Sequence, residues 1–221
     1  DRYYHLVLLA ENNQGYSNLM KIVSKGFVEG FYYKPRVDLQ LLEKYHEGII
    51  ALSACLAGEV ARFLTRGMYE DAKAAALRYQ DIFGKGNFFL ELQDHGIPEQ
   101  QNVNQQLLRM HQETGIDLVA TNDIHYTYKE DADPHDILLC LQTGKKLSDT
   151  DRMRYEGGQY YVKSEQEMAA LFPYALEALE NTHKIAERCH VEIEFGVTKL
   201  PRFDVPEGYT SWEYLNKLCF E

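Results

Sequence analysis

Short apolar runs alternate with segments of helical periodicity over the first 126 residues, and this alternation constrains the fold most strongly. The four runs span residues 4–10, 48–55, 87–93 and 118–120, and helical spacing is clear at 15–24, 69–83 and 98–114. Strand–helix alternation predicts parallel strands joined by helical crossovers. We therefore expect an α/β fold, as part of a barrel or of an open sheet, with the nearly all-apolar first strand in a central position.

The pattern changes after about residue 127, where the chain becomes mainly helical. Ser164 followed three residues later by Glu167 is a capping box that predicts a helix start. We divide the chain at this point into an α/β part, 1–127, and a helical connector, 128–221. The chain opens without Met, almost directly in a strand, and closes in a predicted helix, so we expect a segment of a longer polypeptide.

The amino-acid composition argues against several functional classes of protein. A net charge of −11 argues against a broad, sequence-independent grip on nucleic acid, although an acidic metal pocket acting on phosphate esters remains compatible with it. Four scattered cysteines without a Cys-x-x-Cys pair indicate neither a disulfide framework nor a zinc knuckle. With no apolar run of membrane-spanning length and no signal-peptide pattern, we expect a cytoplasmic protein without a membrane partner.

The strongest chemical signal is Asp123-Ile124-His125, which follows the strand at 118–120. In parallel α/β folds, functional residues lie at the carboxyl ends of strands. If the chain stays extended, Asp123 and His125 point to the same side and present a carboxylate and an imidazole to Zn²⁺, Mn²⁺ or Fe. The alternative is that Asp123 caps the next turn and His125 is an ordinary loop histidine.

Further candidates follow other strands. His5 lies on the first strand and Cys55 ends the second, and each has an ordinary alternative as a core or edge residue. Glu91 and His95 flank the end of the third strand, where the alternative is a solvated loop or a hydrogen-bonded pair behind the ligands. The remaining histidines are interpreted as structural: His46, His111, His135, His183 and His190.

An aromatic and basic loop near the start of the chain is a weaker candidate for binding. It contains Tyr32, Tyr33, Lys34 and Arg36, which have the chemistry to contact a phosphate backbone. The alternative, an ordinary surface loop, is favoured.

Several long blocks, in order, carry a family resemblance. They include residues 4–10 (YHLVLLA), 47–60 (EGIIALSACLAGEV), 120–126 (ATNDIHY) and 135–145 (HDILLCLQTGK). With these blocks the chain resembles the polymerase-and-histidinol-phosphatase (PHP) domain of the alpha subunits of bacterial DNA polymerase III. The resemblance covers nearly the whole chain.

The resemblance implies part of a distorted (βα)7-type PHP barrel, followed by a helical connector that leads towards a polymerase palm. It also implies a cluster of Zn, Mn or Fe, whose last four ligands match His5, Cys55, Asp123 and His125. The family's earlier ligands have no counterpart in this chain, so we expect the cluster to be incomplete here. In the parent protein the expected reaction is phosphoester hydrolysis of the 3′–5′ proofreading type.

For the parent, the resemblance also implies DNA synthesis with Mg²⁺ on palm carboxylates, none of which is found in this chain. Its expected partners are DNA, deoxynucleotides, the sliding clamp and the clamp loader. Two alternatives stay open, namely a non-catalytic scaffold domain and a stand-alone phosphatase of the histidinol-phosphatase type.

Overall fold

The computed structural model describes residues 3–221, which form a mixed α/β structure and confirm the expected fold class. In chain order the strands and α-helices are β1 (Val7–Ala10), α1 (Asn13–Val28), α2 (Leu39–Lys44), β2 (Ile49–Leu52), α3 (Glu59–Thr65), α4 (Tyr69–Phe83), β3 (Phe88–Leu92), α5 (Pro98–Thr114), β4 (Leu118–Ala120), α6 (Ala132–Thr143), α7 (Glu165–Leu171), α8 (Leu176–Arg188) and α9 (Ser211–Phe220). Short 3-10 helices span Lys129–Asp131 and Glu156–Gly158.

The four strands form one sheet in the order β1-β2-β3-β4. β2, β3 and β4 are parallel, as predicted, but β1 pairs with β2 antiparallel, with Val7 opposite Leu52. The expectations of a parallel and central first strand are therefore wrong. β1 is an edge strand with half-buried side chains. Apolar composition indicates burial, but strand direction and position depend on the path of the long connection through α1 and α2.

Local signals explain the helix boundaries that the sequence predicts best. Pro98 occupies the first turn of α5, where its missing N–H costs no hydrogen bond. Gly115 ends α5 in the left-handed conformation, φ 70°, which glycine adopts without steric strain. In α7, Ser164 and Glu167 form both hydrogen bonds of the predicted capping box.

The core lies around β2, β3 and β4, whose residues are all buried. Helices from the second half of the chain contribute to it, because Phe172 and Ala178 are fully buried in the same cluster as Leu90 and Leu118. The Asn181 amide also donates a hydrogen bond of 2.8 Å to the Leu118 carbonyl in β4.

The chain divides into a compact unit that extends to Val191 and a second unit, Glu192–Glu221. The predicted functional division after residue 127 stays a prediction, although the first compact unit continues beyond that point. In the second unit, Thr210 and Glu213 cap α9 and Tyr214 contacts the rings of Phe203 and Tyr209. None of the helices within residues 3–221 combines the length and apolar character needed to cross a membrane.

Candidate metal centre

The antiparallel pairing of β1 brings His5 beside Cys55. Because β1 runs opposite to β2, the beginning of β1 lies next to the carboxyl end of β2. The His5 N–H donates to the Ala57 carbonyl at 3.1 Å, and the imidazole Nδ1 lies 3.5 Å from the Cys55 Sγ. Two candidate ligands that are 50 residues apart in sequence therefore meet at one end of the sheet.

The turn that carries Cys55 is tightly constrained. Ala54 adopts φ 63°, in the left-handed region that residues with a Cβ rarely occupy. At Gly58 a Cβ would lie 2.2 Å from the Ser53 carbonyl oxygen, so only glycine fits at this position. The turn fixes the direction of the Cys55 side chain.

Asp123 and His125 also converge, but not through an extended chain. β4 ends at Ala120, and Asp123 adopts φ 40°, so the strand alternation proposed for this pair does not extend to it. The chain turns instead, and the Asp123 Oδ1 lies 3.6 Å from the His125 Nε2. The His125 backbone N–H donates to the Tyr160 carbonyl at 2.9 Å, which holds the His125 backbone in place.

The two pairs influence each other electrostatically. Burial is the main cause that raises the pKa of the Cys55 thiol, and the negative charge of Asp123 raises it further. Burial also raises the pKa of Tyr155, and the charges of Asp123 and Cys55 add to that effect. Both pairs therefore act on the same phenol, as expected for groups at the same end of the sheet.

Glu91 lies in β3, behind these two pairs. Its side chain is only 5% exposed, which rules out the solvated loop considered as an alternative for it. Its carboxylate accepts hydrogen bonds from the Ala54 N–H (2.9 Å), the Thr121 hydroxyl (2.5 Å) and the Gln93 amide (3.1 Å). Burial is the largest effect on the Glu91 pKa and raises it, while the three hydrogen bonds lower it.

His95 is buried and both of its ring nitrogens are hydrogen-bonded. The Gln100 amide donates to Nδ1 at 2.9 Å, and its oxygen accepts from the His95 N–H at 2.8 Å. The Nε2 then carries the proton and donates to the Asn122 carbonyl at 2.8 Å, while the ring stacks on Tyr160. His95 has no nitrogen left for a metal in this arrangement and belongs to the support of the Asp123 loop.

Aromatic residues that the sequence reasoning passed over surround His125. Its ring centroid lies 4.2 Å from Tyr155, 5.6 Å from Tyr160 and 5.7 Å from His135, which was interpreted as structural. Burial, and then the neighbouring His125, lower the pKa of His135. No local sequence pattern signals these contacts, because Tyr155 and Tyr160 reach His125 from the irregular segment before α7.

The donors at this end of the sheet fit a borderline divalent cation. Imidazole nitrogens, a thiol sulfur and a carboxylate oxygen are the ligand types that Zn²⁺ takes in proteins. Asp123 and His125 are exposed and Cys55 is half-buried, so the donors are accessible to solvent. Within the described range 3–221, no three or more His, Cys, Asp or Glu side chains are arranged as a complete metal-binding group.

Comparisons with known proteins identify relatives over nearly the whole chain. The family described as "PHP domain" matches residues 1–95. Proteins named "DNA polymerase III subunit alpha" align from Treponema pallidum (45% identity, 96% of this chain, 18% of the relative) and Borreliella burgdorferi (46%, 99% and 19%). The corresponding protein of Deinococcus radiodurans is 44% identical over 96% of this chain and 16% of its own length. The chain thus spans less than a fifth of these relatives.

Proposed function

Because this chain belongs to the PHP-domain family and aligns almost throughout with DNA polymerase III alpha subunits, we propose that it is part of such a subunit. We further propose that His5, Cys55, Asp123 and His125 are ligands of a divalent metal centre, with Zn²⁺, Mn²⁺ or Fe as the metal. In the parent protein this centre hydrolyses phosphoesters in the manner of 3′–5′ proofreading.

The observation that carries this proposal is the convergence of two donor pairs at one end of the sheet. The His5–Cys55 and Asp123–His125 pairs are brought there by different strands, with donor atoms 3.5 and 3.6 Å apart within each pair. When bound, a divalent cation supplies a water of lowered pKa and stabilises negative charge on the phosphoryl group. The chain's own contribution is to hold the donors, with Tyr160 fixing the His125 backbone.

The remaining functions of the parent follow from the same proposal. DNA synthesis requires DNA, deoxynucleotides and Mg²⁺ held by palm carboxylates, which we place outside this chain. The sliding clamp and the clamp loader are the proposed replication partners, and the cytoplasm is the proposed location.

One observation favours a second candidate, a scaffold without catalysis. Burial raises the pKa of Cys55, so in the absence of a cation the thiol stays protonated beside His5 and needs no counter-charge. The Glu91 and His95 hydrogen bonds likewise hold the strand ends without a metal. The stand-alone histidinol-phosphatase alternative has no comparable support, because the alignments to polymerase subunits continue through the helical second half.

The test compares the complete protein containing this chain with a Cys55→Ala/Asp123→Ala/His125→Ala variant. A Cys219→Ala/Asp204→Ala/His183→Ala variant, which removes the same residue types elsewhere, is the matched control. Elemental analysis and removal of a mismatched primer end are measured together, with DNA synthesis as the check on folding.

We expect bound metal and exonuclease activity to be lost only in the first variant, while DNA synthesis persists. A wild-type protein that synthesises DNA but holds no metal and removes no primer end would support the scaffold instead.

A further inference from the structure

The carboxylate of Glu91 connects the ends of the two strands that flank β3. β3 pairs with β2 on one side and with β4 on the other. The Glu91 Oε2 accepts from the Ala54 N–H at 2.9 Å, beyond the end of β2. The Oε1 accepts from the Thr121 hydroxyl at 2.5 Å, beyond the end of β4. One buried side chain in the middle strand therefore bonds to both neighbouring strand ends.

Each of these contacts lies one or two residues before a proposed ligand. Ala54 precedes Cys55, and its left-handed φ of 63° is a conformation that needs support from its surroundings. Thr121 lies two residues before Asp123, which also has a positive φ, 40°. The hydrogen bonds to the Glu91 carboxylate therefore hold the backbone where it leaves the strands and presents the Cys55 thiol and the Asp123 carboxylate.

We propose that Glu91 is a positioning residue that fixes the backbone segments carrying Cys55 and Asp123 at the proposed metal centre. This inference rests on the metal centre proposed above. Glu91 acts through its neighbours rather than as a ligand, because it is buried and its carboxylate accepts hydrogen bonds from residues just beyond the ends of β2, β3 and β4.

A carboxylate is required because three donors converge on two oxygens. The Gln93 amide joins Thr121 at Oε1, at 3.1 Å, while Ala54 alone occupies Oε2. An amide at position 91 has only one acceptor oxygen. If the amide oxygen introduced by Glu91→Gln faces Ala54, the introduced NH₂ group faces the Gln93 NH₂ group. In the opposite orientation, the introduced NH₂ group faces the Ala54 N–H. Glu91→Gln therefore keeps the shape of the side chain and loses the hydrogen bond from at least one of the three donors.

The Asn104→Ala variant distinguishes a positioning role of Glu91 from a purely structural one. Asn104 is 2% exposed and donates to the Gln93 carbonyl at 3.0 Å, so it belongs to the same buried polar region. Its amide bonds to neither Ala54 nor Thr121. Loss of this hydrogen bond destabilises the region without releasing a strand end.

The experiment measures Co²⁺ affinity by competition with a chelator, on the complete protein as wild type, Glu91→Gln, Asn104→Ala and Thr121→Val. The thiolate-to-cobalt absorption band reports the Cys55 ligand separately. Removing an outer residue that orients metal ligands typically lowers metal affinity about 10–100-fold. We expect a loss in that range for Glu91→Gln with a weakened or shifted band, a smaller loss for Thr121→Val, and an unchanged affinity for Asn104→Ala.

Two outcomes would overturn the positioning role while leaving the metal centre intact. One is wild-type affinity in both Glu91→Gln and Thr121→Val, and the other is an equal loss in Asn104→Ala. If Glu91→Gln does not fold, the comparison of Co²⁺ affinity between Thr121→Val and Asn104→Ala decides. A loss in Thr121→Val alone supports the positioning role. A wild-type protein that binds no Co²⁺ would overturn the metal centre and the positioning role together.

Discussion

Cys55, a proposed ligand, illustrates how the ionisation state of a thiol depends on whether a metal is bound. Burial and the negative Asp123 charge both raise the pKa of the thiol, so the metal-free site contains a neutral sulfur. A divalent cation has the opposite effect, because the thiolate is the form that binds metals. Metal binding at this site therefore releases a proton, and the affinity rises with pH.

His95 lies close to the same site but supports the neighbouring loop through hydrogen bonds. Gln100 fixes both the backbone and the Nδ1 of His95, which leaves the Nε2 proton directed at the Asn122 carbonyl. Asn122 is adjacent to Asp123, so the imidazole supports the loop rather than the metal. A histidine near a candidate site is a ligand only if one of its nitrogens is free.

At the scale of elements, Glu113 links α4 and α5. Its carboxylate accepts from Lys73 (2.7 Å) and Tyr69 (3.1 Å) in α4 and from Arg109 (2.6 Å) in α5. The bonds from Lys73 and then Arg109 are the main causes that lower the Glu113 pKa, to about 2. A lowered folded-state pKa means that these contacts stabilise the ionised form.

We expect Glu113→Gln to lower the melting temperature at neutral pH and to have a progressively smaller effect in acid. The stabilisation is complete above the unfolded-state pKa of about 4.3 and is lost as the pH falls through the folded value, about 2. Thermal unfolding from pH 7 to pH 2 measures the difference. Glu99→Gln, at the other end of α5, controls for the loss of one charge, and a pH-independent Glu113→Gln effect would contradict the account.

The helices that the sequence predicts well carry their own boundary signals. The bounds of α4 and α5 agree with the predictions, because Pro98 and Gly115 act on their immediate neighbours in α5 and Gly84 ends α4. The direction of β1 could not be predicted in this way. It depends on pairing with β2, which lies some forty residues later and is reached through two helices.

At the scale of the whole molecule, α7 and α8 share a core with the sheet. Phe172, between α7 and α8, is fully buried in the cluster that contains Leu90 and Leu118. Ile185 of α8 packs in a second cluster with Ile50 and Val119. The structure therefore predicts that this part of the chain unfolds together with the sheet.

We expect Phe172→Ala to destabilise the protein by about 3–5 kcal/mol, the usual cost of removing a large buried aromatic side chain. Denaturant unfolding followed by amide hydrogen exchange in β2–β4 and in α8 should give one coincident transition, shifted to lower denaturant. Phe195→Ala is the control, because Phe195 is 86% exposed and its loss should change little. Separate transitions for the sheet and for α7 and α8 would show that these helices fold independently of the sheet.

The candidate site could be predicted only as a list of residues. Strand-end positions pointed to Cys55, Asp123 and His125, but the meeting of His5 with Cys55 depends on the antiparallel edge strand. The contacts of Tyr155 and His135 with His125 also join separate segments and have no periodic signature. Such arrangements arise from tertiary packing, which sequence periodicity does not encode.

The most direct test of the metal centre is zinc-edge X-ray absorption on the complete, zinc-loaded protein and its Cys55→Ala variant. We expect a sulfur scatterer at about 2.3 Å together with nitrogen and oxygen at about 2.0–2.2 Å. Cys55→Ala should remove the sulfur contribution and keep the lighter ligands. A wild-type spectrum without sulfur, or one that Cys55→Ala leaves unchanged, would contradict the assignment of Cys55 and its neighbours as the metal site.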